Sequence, residues 1–88
     1  MKHPFRDDDH ASCSPAVAGR AAMAVINSVQ QVPPAVQAHG IAAAFILLAE
    51  RYGLEPQHLF QRTTNLMNYA EGRRPEFAAV AEYLANEL

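Results

Sequence analysis

At 88 residues the chain has room for one domain, in which half the residues are hydrophobic and only 18% are charged. The formal net charge of −2 and the pI of about 6.0 exclude a strongly basic surface that would attract nucleic acid or an anionic membrane through overall charge. A single cysteine, Cys13, excludes an intramolecular disulfide, and the longest unbroken apolar run, 41–49, is too short to span a bilayer. We therefore expect a soluble, cytoplasmic protein, and its apolar composition favours self-association.

The N-terminal residues 1–14 contain a charge run and a proline but no hydrophobic periodicity, so they are predicted to be a flexible tail. Residues 15–88 then form the single folded domain. Helix 1 is predicted over 15–31, because Ser14 and the proline that follows it suit the N-cap and the first helical position. Gly19 lowers the helix propensity of this segment, and close approach of another helix would compensate.

Helix 2 is predicted over 34–52, with Gly53 as its stop. From residue 41 to residue 49 this helix is apolar on every side, and a helix of that kind is buried from several directions. It is therefore expected to be the central helix of the domain or to lie at a subunit interface.

Two further helices are predicted, one over 56–70 and one over 75–86. Gly72 is the stop signal just after the first of them. The last has apolar residues at i, i+3, i+4 and i+7, beginning at Phe77, which is typical of an amphipathic helix. No stretch alternates with a period of two residues, so no sheet is expected. The predicted fold is all-α: a compact bundle or orthogonal array of about four helices behind a disordered tail.

Catalytic, cofactor and metal sites are not expected. A nucleophile needs a base within hydrogen-bond reach, and the serines near Cys13 lie in the tail or cap a helix. His39 and His58 are far apart in the sequence, and the tail residues His3, Asp7 and His10 fit no recurrent zinc spacing. The chain is therefore predicted to be non-enzymatic, without a small-molecule substrate.

The segment 48–65 resembles the helix-turn-helix motif of bacterial and phage repressors. A small residue, Ala49, precedes the turn glycine Gly53 by four positions, Leu54 follows it, and Leu59 takes the apolar position inside the second helix. The resemblance implies that helix 56–70 would read DNA, with polar side chains on base edges and arginines on phosphates. The residues expected to contact DNA are Gln57, His58, Gln61, Arg62, Asn65, Arg73 and Arg74. An ordinary helix–turn–helix corner with a solvated polar face is the alternative, and Arg62 occupies a position where repressors carry an aliphatic residue.

A protein-interaction surface is the leading functional hypothesis. Helix 2 has four large apolar residues in succession, which one helix face cannot hide together. The predicted interface residues are Phe45, Leu47, Leu48 and Tyr52. The sequence thus favours a small, non-enzymatic, homodimeric interaction module, of the kind that serves as an accessory protein in a phage or plasmid, with a helix-turn-helix regulator as the alternative.

Overall fold

The computed structural model describes residues 13–88, so the predicted tail lies almost wholly outside the described residues. Four helices and a short antiparallel hairpin follow one another along the chain. They are α1 (Pro15–Ser28), α2 (Pro34–Arg51), α3 (Pro56–Met67), β1 (Asn68–Tyr69), β2 (Gly72–Arg73) and α4 (Pro75–Glu87). The predicted fold class is confirmed, and the helix starts fall where prolines predicted them.

Two of the helix starts are capped by side chains. The Ser14 Oγ accepts a hydrogen bond from the Val17 backbone N–H at 3.2 Å at the start of α1. At the start of α3, the Glu55 carboxylate accepts from the backbone N–H groups of Gln57 and His58 at 2.5 and 3.1 Å. These N–H groups have no partner within their own helices, so the caps stabilise both starts.

Helix α1 ends at Ser28, three residues before the predicted end. The Ser28 hydroxyl donates to the Val25 carbonyl at 2.6 Å, and Val29 leaves the helical region with φ −115° and ψ 11°. Gln37 on α2 donates its side-chain N–H to the Val29 carbonyl at 2.9 Å. The end of α1 is therefore set by a hydrogen bond from the next helix as well as by the prolines.

Helix α3 also ends three residues early, and the prediction that the chain has no sheet is wrong. Asn68 takes an extended conformation, with φ −131° and ψ 158°, while its side-chain N–H donates to the Thr64 carbonyl at 2.8 Å. Tyr69 then pairs with Gly72, whose φ of 136° is a conformation that L side chains rarely adopt. A hairpin this short carries no alternating hydrophobic pattern, so periodicity could not reveal it.

The most extensive helix packing joins α1 and α4. Gly19 is buried, and a Cβ built on it would lie 3.4 Å from the Cβ of Glu76, which confirms the expected close approach of a second helix. Phe77 and Val80 of α4 are buried, 7% and 8% exposed. Near the C-terminal ends of α1 and α4, the Tyr83 hydroxyl of α4 donates a hydrogen bond to the side-chain carbonyl of Asn27 on α1.

Helix α2 packs on α3 through the turn that the sequence identified. Ala49 is 0% exposed, and Gly53 has the positive φ, 69°, that a turn glycine supplies. The backbone N–H of Leu54 donates to the Ala49 carbonyl at 2.8 Å, and that of Gly53 donates to the Glu50 carbonyl at 3.1 Å. These two bonds form a Schellman motif, which satisfies carbonyls at the end of α2.

Helix α2 is not the covered central helix that its composition suggested. Within the described residues, Ala49 is its one buried residue, whereas Leu47 and Leu48 are 63% and 57% exposed. Its main packing partner is α3, so most of its circumference faces away from the rest of the chain. The expectation that α2 is the central helix of the domain is therefore wrong for a single chain, and the alternative of a subunit interface stays a prediction.

Candidate functional site

The four predicted interface residues do not share one face of α2. Leu47 and Leu48 are more than half exposed, whereas Phe45 and Tyr52 are half-buried on the side that packs against α3. One helical turn is 3.6 residues, so Leu47 lies nearly opposite Phe45 and Tyr52. The pair Phe45 and Tyr52 therefore positions α2 on α3, while Leu47 and Leu48 remain available to a partner.

Other exposed apolar side chains extend this surface, and the sequence analysis did not select them. Val36 is 53% exposed and Ile46 is 43% exposed on α2, and Phe60 of α3 is 62% exposed. Ile46 and Phe60 line one apolar groove of about 480 Å³ between the two helices. The position of each residue around its helix, taken with the α2–α3 corner, was the signal that could have identified them.

The polar face of α3 is present as the helix-turn-helix resemblance implied. Gln57, His58, Gln61 and Asn65 are exposed and, at helical spacing, lie on one side of α3. The Gln61 side chain donates to the Asn65 side chain at 3.3 Å, so those two amides already form a hydrogen bond with each other. Arg62 is half-buried at the edge of this face, which agrees with its place at a normally aliphatic position.

Arg73 and Arg74, which were predicted to act together on phosphates, are neighbours in the sequence but have different surroundings. Arg73 is exposed on β2. Arg74 is half-buried, its Nε is buried without a hydrogen-bond partner, and its guanidinium lies 5.7 Å from the centre of the Tyr69 ring. That geometry is a cation–π contact, so Arg74 holds the hairpin against the start of α4 while Arg73 faces outwards.

Open apolar grooves run along both sides of the α1–α4 pair. One of about 520 Å³ lies between α1, the first half of α2 and the end of α4, and another of about 610 Å³ lies between α1, α3 and α4. Ala22, Ile26 and Leu84 line both grooves. The two grooves are therefore neighbours, and their linings add further uncovered apolar surface.

Residues that could support metal chemistry are dispersed over the folded region. Among residues 13–88, no three His, Cys, Asp or Glu side chains lie close enough together to hold a metal ion. The tail residues His3, Asp7 and His10 lie outside the described residues. Within residues 13–88, none of the helices combines the length and the apolar character needed to cross a lipid bilayer.

Comparison of the chain with models of protein families, with curated proteins and with solved structures finds no match. The functional argument therefore depends on the surfaces described above.

Proposed function

We propose that this chain is a non-enzymatic protein-interaction module that works as a homodimer. One observation supports the proposal above the others. Among the described residues, three hydrophobic side chains are buried, whereas eleven large ones are at least 36% exposed. Contiguous apolar patches of more than a few hundred Å² are rare on monomeric proteins and mark interaction sites.

The distribution of the exposed residues supports the same proposal. Val36, Ile46, Leu47 and Leu48 all belong to α2, and Phe60 of α3 lies beside Ile46. Obligate homodimers have interfaces of this apolar character, because each protomer leaves part of its core to be completed by the other. Helix α2 thus has the composition of a core helix and the exposure of an interface helix.

The proposal is tested by sedimentation velocity of the full chain over a range of concentrations. We expect a dimer for the natural sequence and a monomer, folded or unfolded, for Leu47→Asp, because a buried charge without a partner is strongly disfavoured at an apolar interface. Val17→Asp is the matched control: Val17 is 54% exposed on α1, and its variant should remain dimeric. A monomeric natural chain at roughly 100 μM, or dissociation by both substitutions, would contradict the proposal.

A second candidate function is a DNA-binding regulator that reads DNA with α3. The exposed polar face of α3 and the exposed Arg73 on the following hairpin favour it, and α3 carries no acidic residue. The near-neutral charge of the domain weighs against it, because phosphate neutralisation supplies most non-specific affinity.

Fluorescence anisotropy with a labelled random-sequence duplex at low salt tests this second candidate. If it holds, binding should have a Kd within about 10⁻⁴ to 10⁻⁶ M and weaken as salt rises. Arg73→Ala should weaken binding and reduce the salt slope by about one unit. Arg20→Ala, which removes an exposed arginine on α1, is the control and should bind as the natural chain does. No binding up to roughly 100 μM would exclude the DNA function.

A further inference from the structure

The N-terminal ends of α1 and α4 lie at the same end of the folded domain. Gly19 of α1 packs against Glu76 in the first turn of α4, where a Cβ built on Gly19 would lie 3.4 Å from the Glu76 Cβ. Asn27 and Tyr83, which are hydrogen-bonded to each other, lie further along the two helices in the same direction. The two helices are therefore parallel, and each places the partial positive charge of a helix N-terminus at this end.

Arginines add full positive charge to the same end of the domain. Arg20 lies in the first half of α1, and Arg73 and Arg74 directly precede α4. Glu71 and Glu76 are the acidic residues beside them, so three arginines against two glutamates leave a local balance of +1. Arg73 is exposed and forms no ion pair within residues 13–88. It is therefore accessible to a carboxylate from outside the described residues.

The groove of about 610 Å³ between α1, α3 and α4 has Arg73 in its lining beside apolar side chains that include Leu66 and Leu84. Along α1 the groove runs from Ala18, in the first turn, to Ile26. Among the described residues, the lining of the neighbouring groove of about 520 Å³ includes no charged side chain. The larger groove therefore combines apolar surface with a cation near the end where α1 begins.

Residues 1–12 join the domain at this same end, because residue 13 is followed directly by Ser14, the N-cap of α1. They contain the uninterrupted acidic run 7–9, and Phe5 lies two residues before that run. A phenylalanine ring buries about 150–250 Å² when an apolar site covers it. A carboxylate forms a charge-assisted hydrogen bond with an arginine. The segment thus carries the two kinds of side chain that the groove and its arginine would accept.

The chain between Phe5 and α1 is long enough to bring the ring into the groove. Nine residues separate Phe5 from Ser14, and an extended chain of that length spans up to about 30 Å. The far end of the groove, at Ile26, lies about 18 Å along α1 from Ser14. The whole length of the groove is therefore within reach of Phe5.

The acidic run can reach Arg73 in the same way. Seven residues from Asp7 to Ser14 span up to about 23 Å. The contact of Gly19 with Glu76 lies about 8 Å along α1 from Ser14. Arg73 is three residues before Glu76, so it is at most about 11 Å from that contact. The connection therefore allows a carboxylate of the run to meet the Arg73 guanidinium.

We propose that residues 5–9 fold back on their own chain, with the acidic run paired to Arg73 and Phe5 in the groove between α1, α3 and α4. A single exposed ion pair stabilises little, but a short tether supplies an effective concentration in the millimolar range, at which weak contacts are populated. The inference is independent of the proposed homodimer, which uses α2. It also places carboxylates on the arginine that the DNA-binding candidate assigns to phosphate, so the two compete for Arg73.

Nuclear Overhauser effects in the isotopically labelled full chain at low salt test this contact. We expect cross-peaks between the ring protons of Phe5 and the methyl groups of Leu66 and Leu84, which line the groove. The cross-peaks should weaken as salt is added, because salt screens the pairing of the acidic run with Arg73.

Charge variants separate this pairing from apolar contact alone. The triple variant Asp7→Asn/Asp8→Asn/Asp9→Asn keeps the side-chain size and removes the charges, and it should weaken the cross-peaks several-fold. Arg73→Gln should have the same effect. Arg51→Gln, which removes an exposed arginine at the end of α2, is the matched control and should leave the cross-peaks unchanged. Far-UV circular dichroism of each variant should show the helix content of the natural chain.

Each result supports the inference or overturns it. Cross-peaks within one chain that both charge variants weaken and the control retains support it. A Phe5 ring without contact to the groove overturns it, as do cross-peaks that either charge variant leaves unchanged. A sample that mixes labelled and unlabelled chains detects contacts between copies, and cross-peaks found only between copies also overturn the inference. Sedimentation of the same sample tests the homodimer separately, since a monomer with these cross-peaks intact would overturn the homodimer alone.

Discussion

Phe77→Ala is expected to produce the largest loss of stability of any single truncation in this domain. Phe77 is 7% exposed on the side of α4 that packs against the neighbouring helices. Few other side chains of the described residues are buried. Truncation of a buried phenylalanine costs about 3–5 kcal/mol, from lost burial and from the cavity left behind. Since whole domains are stable by only about 5–15 kcal/mol, this single change removes a large part of the total.

Urea unfolding followed by far-UV circular dichroism measures this effect. The control is Val17→Ala, a truncation on α1 of a side chain that is 54% exposed and lies outside the proposed dimer surface. The control should lose far less stability than Phe77→Ala at the same protein concentration. Equal losses in the two variants would contradict the assignment of the core to the α1–α4 pair.

Ala49→Leu is expected to have the second largest effect. Ala49 is 0% exposed where α2 meets α3, and its carbonyl accepts the Leu54 hydrogen bond that closes the turn. Three additional carbon atoms at this crossing force the helices apart or the side chain off its rotamer, at a cost of about 1–3 kcal/mol. For a domain of this size the melting temperature should fall by at least about 4 °C.

Thermal unfolding of Ala49→Leu beside Ala79→Leu checks this prediction. Ala79 is exposed on α4, and leucine has nearly the helix propensity of alanine, so the control should melt close to the natural chain. A melting temperature for Ala49→Leu that equals that of the control would contradict close packing of α2 on α3. The test concerns the corner alone and is independent of whether that corner contacts DNA.

The residues that carry the helix-turn-helix resemblance form the α2–α3 corner. Their positions explain how the two helices pack, but they do not distinguish one function from another. Ala49, Gly53 and Leu54 occupy the positions that any tight corner between two helices needs: a small residue, a residue with positive φ and an apolar residue after it. The same geometry serves a repressor or an ordinary interaction module. The DNA-binding titration must therefore test the outer face of α3 and Arg73, because only these parts distinguish a repressor from an ordinary interaction module.

The sequence by itself determined the helix starts, the turn and the fold class, because these depend on local chemistry. Pro15, Pro34, Pro56 and Pro75 each begin a helix, and Gly53 turns the chain after α2. Proline suits the first turn, where its missing N–H is not needed, and glycine tolerates positive φ without a steric penalty. These preferences act within a few residues, so they can be inferred without knowing what the segment packs against.

Tertiary structure decided the helix ends and the exposure of α2. The side chain of Gln37 reaches back to the Val29 carbonyl, and the Tyr69–Gly72 pairing ends α3 before the predicted residue. Apolar composition predicted burial for α2 but could not state whether its own chain or another would cover it. Burial depends on which elements meet, and α1 meets α4 while α2 meets α3, which leaves Leu47 and its neighbours on the outside.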